Sequence, residues 1–202
     1  MRARAVLWGL VAAVSAAAAA AAWQSGLEAL CGECRVERFA DCGGFLGLYF
    51  TEPYGSGALK PNGRVCYLPA DGSGLRVLEE SMAFPNGIVV LPDGSAVLVG
   101  EYARKRVVSI PSLGAADPFA TTYVYGRTEG GIGPDGMAFD ERGNLYAAIF
   151  QGGAVQVFDA AGYALGRIPL PEGAGTFVTN LAFGGEWLYI TEGEKRQNAL
   201  HL

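Results

Sequence analysis

The sequence predicts an all-β fold, a β-propeller of about three and a half to four blades behind an N-terminal leader. Three observations carry that expectation. Glycine supplies 30 of the 202 residues, alongside ten prolines and only 17% charged residues, a composition for short strands and tight turns rather than a helical bundle. Half the residues are hydrophobic, enough for a core and too many for a disordered chain. Four segments share one shape: GLYFTE from Gly47, AVLVGE from Ala96, NLYAAI from Asn144 and WLYITE from Trp187. With Tyr49, Leu98, Tyr146 and Tyr189 as equivalents, they recur at intervals of 49, 48 and 43 residues, the period of propeller blades.

The chain opens with Arg2 and Arg4, then an uncharged run from Ala5 to Ala22, then Trp23-Gln24. That order is a secretory signal over residues 1–22, cleaved near Ala22, which implies a secreted or periplasmic protein. An uncleaved membrane anchor is the alternative, although a run this rich in Ala is short and weakly apolar for a spanning helix. Residues 23–43 form a Cys-containing segment. Cys31, Cys34, Cys42 and Cys66 make an even set, which in an exported chain favours disulfides or burial over a redox pair or half of a zinc site at Cys31 and Cys34, since no second CxxC and no nearby His complete such a site.

Residues 44–202 carry the repeats. Ahead of three of the four segments stands a second shared element: PNGIVVLPDG from Pro85, PDGMAFDERG from Pro134 and TNLAFGG from Thr179. Each reads as a turn, an apolar strand and a hairpin containing Gly. Alternating strands follow in RVVSI from Arg106 and AVQVFD from Ala154, matched in the first repeat by GRVCYLPADG from Gly63. Four strands in roughly 45 residues make one blade. The incomplete ring exposes strand edges that invite self-association.

Charge and residue types limit the chemistry. The formal charge of −5 argues against nucleic acid and, once the leader is removed, against anionic membranes as partners. The only histidine is His201, beside the C-terminus, so an interior Ser-His-Asp triad, a Cys-His dyad and a multi-histidine zinc site are excluded. No GxSxG elbow is present. Gly131 to Gly136 spell GxGxxG, but Pro134 interrupts the glycines and a strand hairpin follows, so a dinucleotide site is not expected. Asn86 and Asp135 take the same place in successive repeats, after Pro and before Gly, at the mouth of the innermost strand. Inner strands converge on the propeller axis, and an amide oxygen with a carboxylate suits Ca²⁺, Mg²⁺ or a similar divalent ion. Asn-Gly and Asp-Gly are also common hairpin pairs, and Asp93 in LPDG is read as a turn only. Glu101, Arg104 and Arg106 could line the channel, but on a strand-loop-strand segment they are read as a solvated charge group, and Trp187 and the repeated tyrosines as blade packing.

The ordered series GLYFTEPYG, GRVCYLPADG, FPNGIVVLPDGSAVLVGEYARKRV, GPDGMAFDERGNLYAA, GAVQVFDAAGYALGRIPLP and TNLAFGGEWLYITE resembles the senescence marker protein, gluconolactonase and luciferin-regenerating-enzyme family. Strictosidine-synthase-like propellers share the PNG strand and are the nearest alternative. The resemblance implies a six-bladed lactonase type of propeller and a divalent-metal-dependent hydrolase of sugar lactones or similar cyclic esters. It implies Asn86 and Asp135 as metal ligands, Asp135 as the catalytic residue that orients or deprotonates water, and Ca²⁺ as the ion ahead of Mg²⁺, Mn²⁺ or Zn²⁺. The chain departs from the family in two places. No Gly-Glu-Gly-Pro motif supplies the N-terminal ligand Glu, and one repeat before Asn86 the segment Arg35 to Asp41 holds no Asn. Glu33, Glu37 and Asp41 are acidic residues of that region with no family motif around them. An inactive propeller acting as a binding module is therefore the alternative function.

Overall fold

Period-2 alternation between two buried faces explains the strands. In LYAAIF, Leu145, Ala147 and Ile149 enter one apolar cluster while Ala148 enters another, so one strand feeds both neighbouring layers. The computed structural model describes residues 47–69, 73–113 and 119–193, and they are β-strands joined by turns apart from one short 3-10 turn, Tyr102–Arg104.

The strands are β1 (Gly47–Glu52), β2 (Gly63–Pro69), β3 (Arg76–Met82), β4 (Pro85–Val90), β5 (Ala96–Glu101), β6 (Arg106–Pro111), β7 (Tyr123–Arg127), β8 (Gly133–Phe139), β9 (Leu145–Phe150), β10 (Ala154–Phe158), β11 (Ala164–Pro169), β12 (Val178–Gly184) and β13 (Trp187–Glu192). They form four sheets in sequence order: β1-β2-β3, β4-β5-β6-β7, β8-β9-β10-β11 and β12-β13. The two complete sheets pair consecutive strands antiparallel throughout, the meander of a propeller blade. The described residues have the all-β propeller fold that the repeats predict. The predicted disulfide partners Cys31, Cys34 and Cys42, the leader, Glu33, Glu37, Asp41 and His201 lie outside the described residues. Cys66 is buried in β2, where desolvation raises its thiol pKa and the nearby Arg64 charge opposes that rise.

The described residues divide into two units. The first holds those of Met1–Tyr49 and Tyr67–Arg76, and in it Tyr49 packs on Tyr67 with ring centroids 4.6 Å apart. The second holds those of Phe50–Cys66 and Val77–Leu202 and contains Asn86 and Asp135. Its main core is Leu98, Val107, Tyr125, Met137, Leu145, Ala147, Ile149 and Phe158, between the two complete sheets. A smaller cluster of Ala148, Val155, Val178 and Leu181 joins β9 and β10 to β12. The buried Gln156 pins the complete sheets together by accepting from Glu129 N–H at 2.8 Å and donating to the Arg127 carbonyl at 3.1 Å.

Candidate metal and hydrolysis site

The same irregularity recurs at the start of each inner strand of the second unit. Pairing of β4 with β5 steps from Pro85–Glu101 to Ile88–Val99, so Asn86 and Gly87 together face one residue. Pairing of β8 with β9 steps from Pro134–Ile149 to Met137–Ala147, leaving Asp135 and Gly136 in the same situation. Such bulges free a side chain from the ladder and re-aim it. The glycines permit the close approach of neighbouring inner strands: a Cβ on Gly87 would lie 1.9 Å from the Asp135 carbonyl oxygen, and one on Gly136 would lie 2.0 Å from Asn180 Oδ1. Thus the repeated Pro-x-Gly is more than a turn pair. It sets Asn86 and Asp135 on adjacent inner strands.

A third bulge, between Val178 and Asn180, puts Thr179 at the equivalent position, which its sequence context without Pro or Gly conceals. The Thr179 hydroxyl is taken up with the Thr191 hydroxyl at 2.9 Å, so it completes a strand contact rather than extending the pair.

Asn86 and Asp135 are neighbours across the two inner strands. Burial pushes the Asp135 pKa up to about 6, an increase that the nearby Asn86 side chain only partly offsets. The Tyr102 phenol, at the end of β5, is raised by burial and then by the Asp135 charge. Thr51 of β1 donates its hydroxyl to the Asn86 carbonyl at 2.7 Å and so fixes the bulge from the other side. This donor set fits a hard divalent cation in kind: a partly buried carboxylate beside an amide oxygen. It supplies part of an oxygen shell. Among the described residues no cluster of three or more His, Cys, Asp or Glu surrounds it.

Two expectations are corrected. Glu101, Arg104 and Arg106 are not a wholly solvated group: Glu101 is 0% exposed and binds the more exposed Arg104 Nη1 at 2.8 Å, Arg106 Nε at 2.5 Å and the Ala83 N–H at 2.7 Å. Opposed positions on β5 and β6 place Glu101 beside Arg106, the 3-10 turn between the strands brings Arg104 to them, and the sheet buries the carboxylate. Glu52 and Arg64 hold corresponding places on β1 and β2 and pair at 3.3 Å. Trp187 is 71% exposed rather than packed, whereas Tyr146 does meet Phe183 edge to face at 4.9 Å. Asp93 is the expected turn residue, accepting the Ser95 N–H and hydroxyl. Gly133 to Phe139 is strand, so GxGxxG opens no helix.

Comparison with known proteins agrees with this fold. A family model described as the SMP-30/Gluconolactonase/LRE-like region matches residues 10–194, beginning inside the segment read as leader. Lactonase drp35 of Staphylococcus epidermidis is 32% identical over 128 residues, which cover 62% of this chain and 39% of the relative. A gluconolactonase structure from Xanthomonas campestris aligns with a TM-score of 0.55 at 30% identity, over 65% of this chain and 42% of the other. The structure of a calcium-binding protein, regucalcin, from Agrobacterium tumefaciens shares the fold with a TM-score of 0.55 at 24% identity, over 68% and 45% of the two chains. The match to the curated relatives thus spans about two fifths of their length.

Proposed function

The chain belongs to the SMP-30/gluconolactonase/LRE-like family, and from that premise we propose that it is a divalent-metal-dependent hydrolase of lactones or similar cyclic esters. The observation that carries the proposal is the placement of Asn86 and Asp135 on equivalent bulges of adjacent inner strands. A carboxylate with a pKa near 6 is ionised at neutral pH and still basic enough to take a proton from water. Asp135 accepts that proton as the water oxygen attacks the lactone carbonyl carbon. The ring C–O bond then breaks and the departing alkoxide recovers the proton, giving the hydroxy acid. Asn86 holds the carboxylate in place and offers its amide oxygen beside it. Together the two residues would hold the cation, Ca²⁺ by the hardness of their oxygens, and the ion when bound supplies polarisation of the carbonyl. The two arginines and the apolar run over residues 1–22 support a secreted or periplasmic place for this activity.

A second reading, a propeller that binds ligands without hydrolysing them, draws support from the small donor set among the described residues. Metal titrations of lactone hydrolysis separate the two. Asp135→Ala removes an anionic ligand and the proton acceptor, so activity falls below detection at every Ca²⁺ concentration. Asn86→Ala removes one neutral ligand, so its deficit shrinks as Ca²⁺ is raised, by mass action. An inactive parent chain with every divalent ion supplied, including Ca²⁺, Mg²⁺, Mn²⁺ and Zn²⁺, favours the binding module.

A further inference from the structure

Four aromatic rings run in continuous contact along the strand ends that carry Asn86 and Asp135. Phe84 immediately precedes Pro85-Asn86, and its ring lies 5.3 Å from that of Tyr102. Tyr102 lies 6.0 Å from Phe150, at the end of β9, and Phe150 lies 5.1 Å from Phe177, just ahead of β12. The row therefore crosses three successive repeats, and each ring remains partly exposed. Phe84 holds a left-handed backbone, φ 58°, a costly conformation for a bulky residue. Its N–H donates to Ser56 Oγ at 3.1 Å and its carbonyl accepts the Tyr102 N–H at 3.1 Å, so the strained conformation is held from both sides.

The cations of the turn that carries Tyr102 are already engaged. Arg104 and Arg106 bind Glu101, and Lys105 Nζ donates to the Gly131 carbonyl at 2.8 Å. A polyhydroxylated ring needs several convergent polar groups to replace its water, whereas a flat or branched hydrocarbon needs contact area. This row offers area.

We infer that Phe84, Tyr102, Phe150 and Phe177 form the substrate-specificity surface of the site and select lactones bearing an aryl or alkyl substituent over sugar lactones. The inference rests on the lactonase reading for its chemistry, but its binding component can be measured separately. The rings pack on the substituent while the ester carbonyl lies toward Asp135. These four are specificity residues, and they take no part in proton transfer.

The test uses the whole chain with γ-phenyl-γ-butyrolactone and glucono-δ-lactone as probes. Binding is followed by saturation-transfer NMR and hydrolysis by release of acid. The expected result is at least tenfold tighter binding of the phenyl lactone. In Phe150→Leu and Phe177→Leu the ratio of phenyl-lactone to glucono-δ-lactone affinity falls at least threefold. Should a variant fail to fold by circular dichroism, the parent's selectivity ratio alone decides. Equal or weaker binding of the phenyl lactone overturns the inference, even if the chain hydrolyses glucono-δ-lactone and the lactonase reading stands. Selective binding without hydrolysis of either probe upholds the aromatic surface and sinks the lactonase reading.

Discussion

Asp135 is raised from 3.8 to about 6 chiefly because burial disfavours its charge. The folded chain therefore binds this proton more tightly than the unfolded chain. The associated stability is full below about pH 4 and is lost as pH rises through about 6. Asp135→Asn should then be more stable than the parent at pH 7.5 in chelator, by roughly 1–3 kcal/mol. Urea unfolding at pH 7.5 and at pH 3.5 checks the sign, since the advantage should vanish at the lower pH. The residue pair was legible in the sequence because Pro-x-Gly repeats in register. The equivalence of Thr179 was not legible, because its bulge is built without those markers and only strand pairing reveals it.

At the scale of the element, the strands quoted from sequence coincide closely with β1, β2, β4, β5, β6, β8, β9, β10, β12 and β13. Their legibility comes from burial, which imposes an apolar alternation. The outer strands β3 and β7 were not located individually, and the exposure along them explains why: solvent places little demand on residue type there. The ion cluster was misread for the opposite reason, because charge alone does not disclose that a sheet encloses it. Glu101→Ala strips a buried partner from Arg104, Arg106 and the Ala83 N–H and should cost about 3–5 kcal/mol in chemical denaturation. Glu52→Ala breaks the corresponding but more exposed pair with Arg64 and should cost less than about 1 kcal/mol. Equal costs would contradict the distinction between the two repeats.

For the whole molecule, the repeat interval predicts the series of sheets, and the described residues supply thirteen strands of it. The β12-β13 pair carries Trp187 at 71% and Tyr189 at 61% exposure, an apolar surface at the edge of the described sheets. We expect the isolated chain to self-associate with rising concentration in sedimentation velocity. The double variant Trp187→Lys, Tyr189→Lys should shift it toward monomer, whereas unchanged sedimentation would place the contact elsewhere.

The central claim is that Asn86 and Asp135 form a divalent-cation centre, and calorimetric titration of the purified chain with Ca²⁺ tests it most directly. One saturable site per chain is expected, weakened in Asn86→Ala and absent in Asp135→Ala. A parent chain that takes up no Ca²⁺ at millimolar concentration, or an Asp135→Ala variant that binds as the parent does, would contradict it.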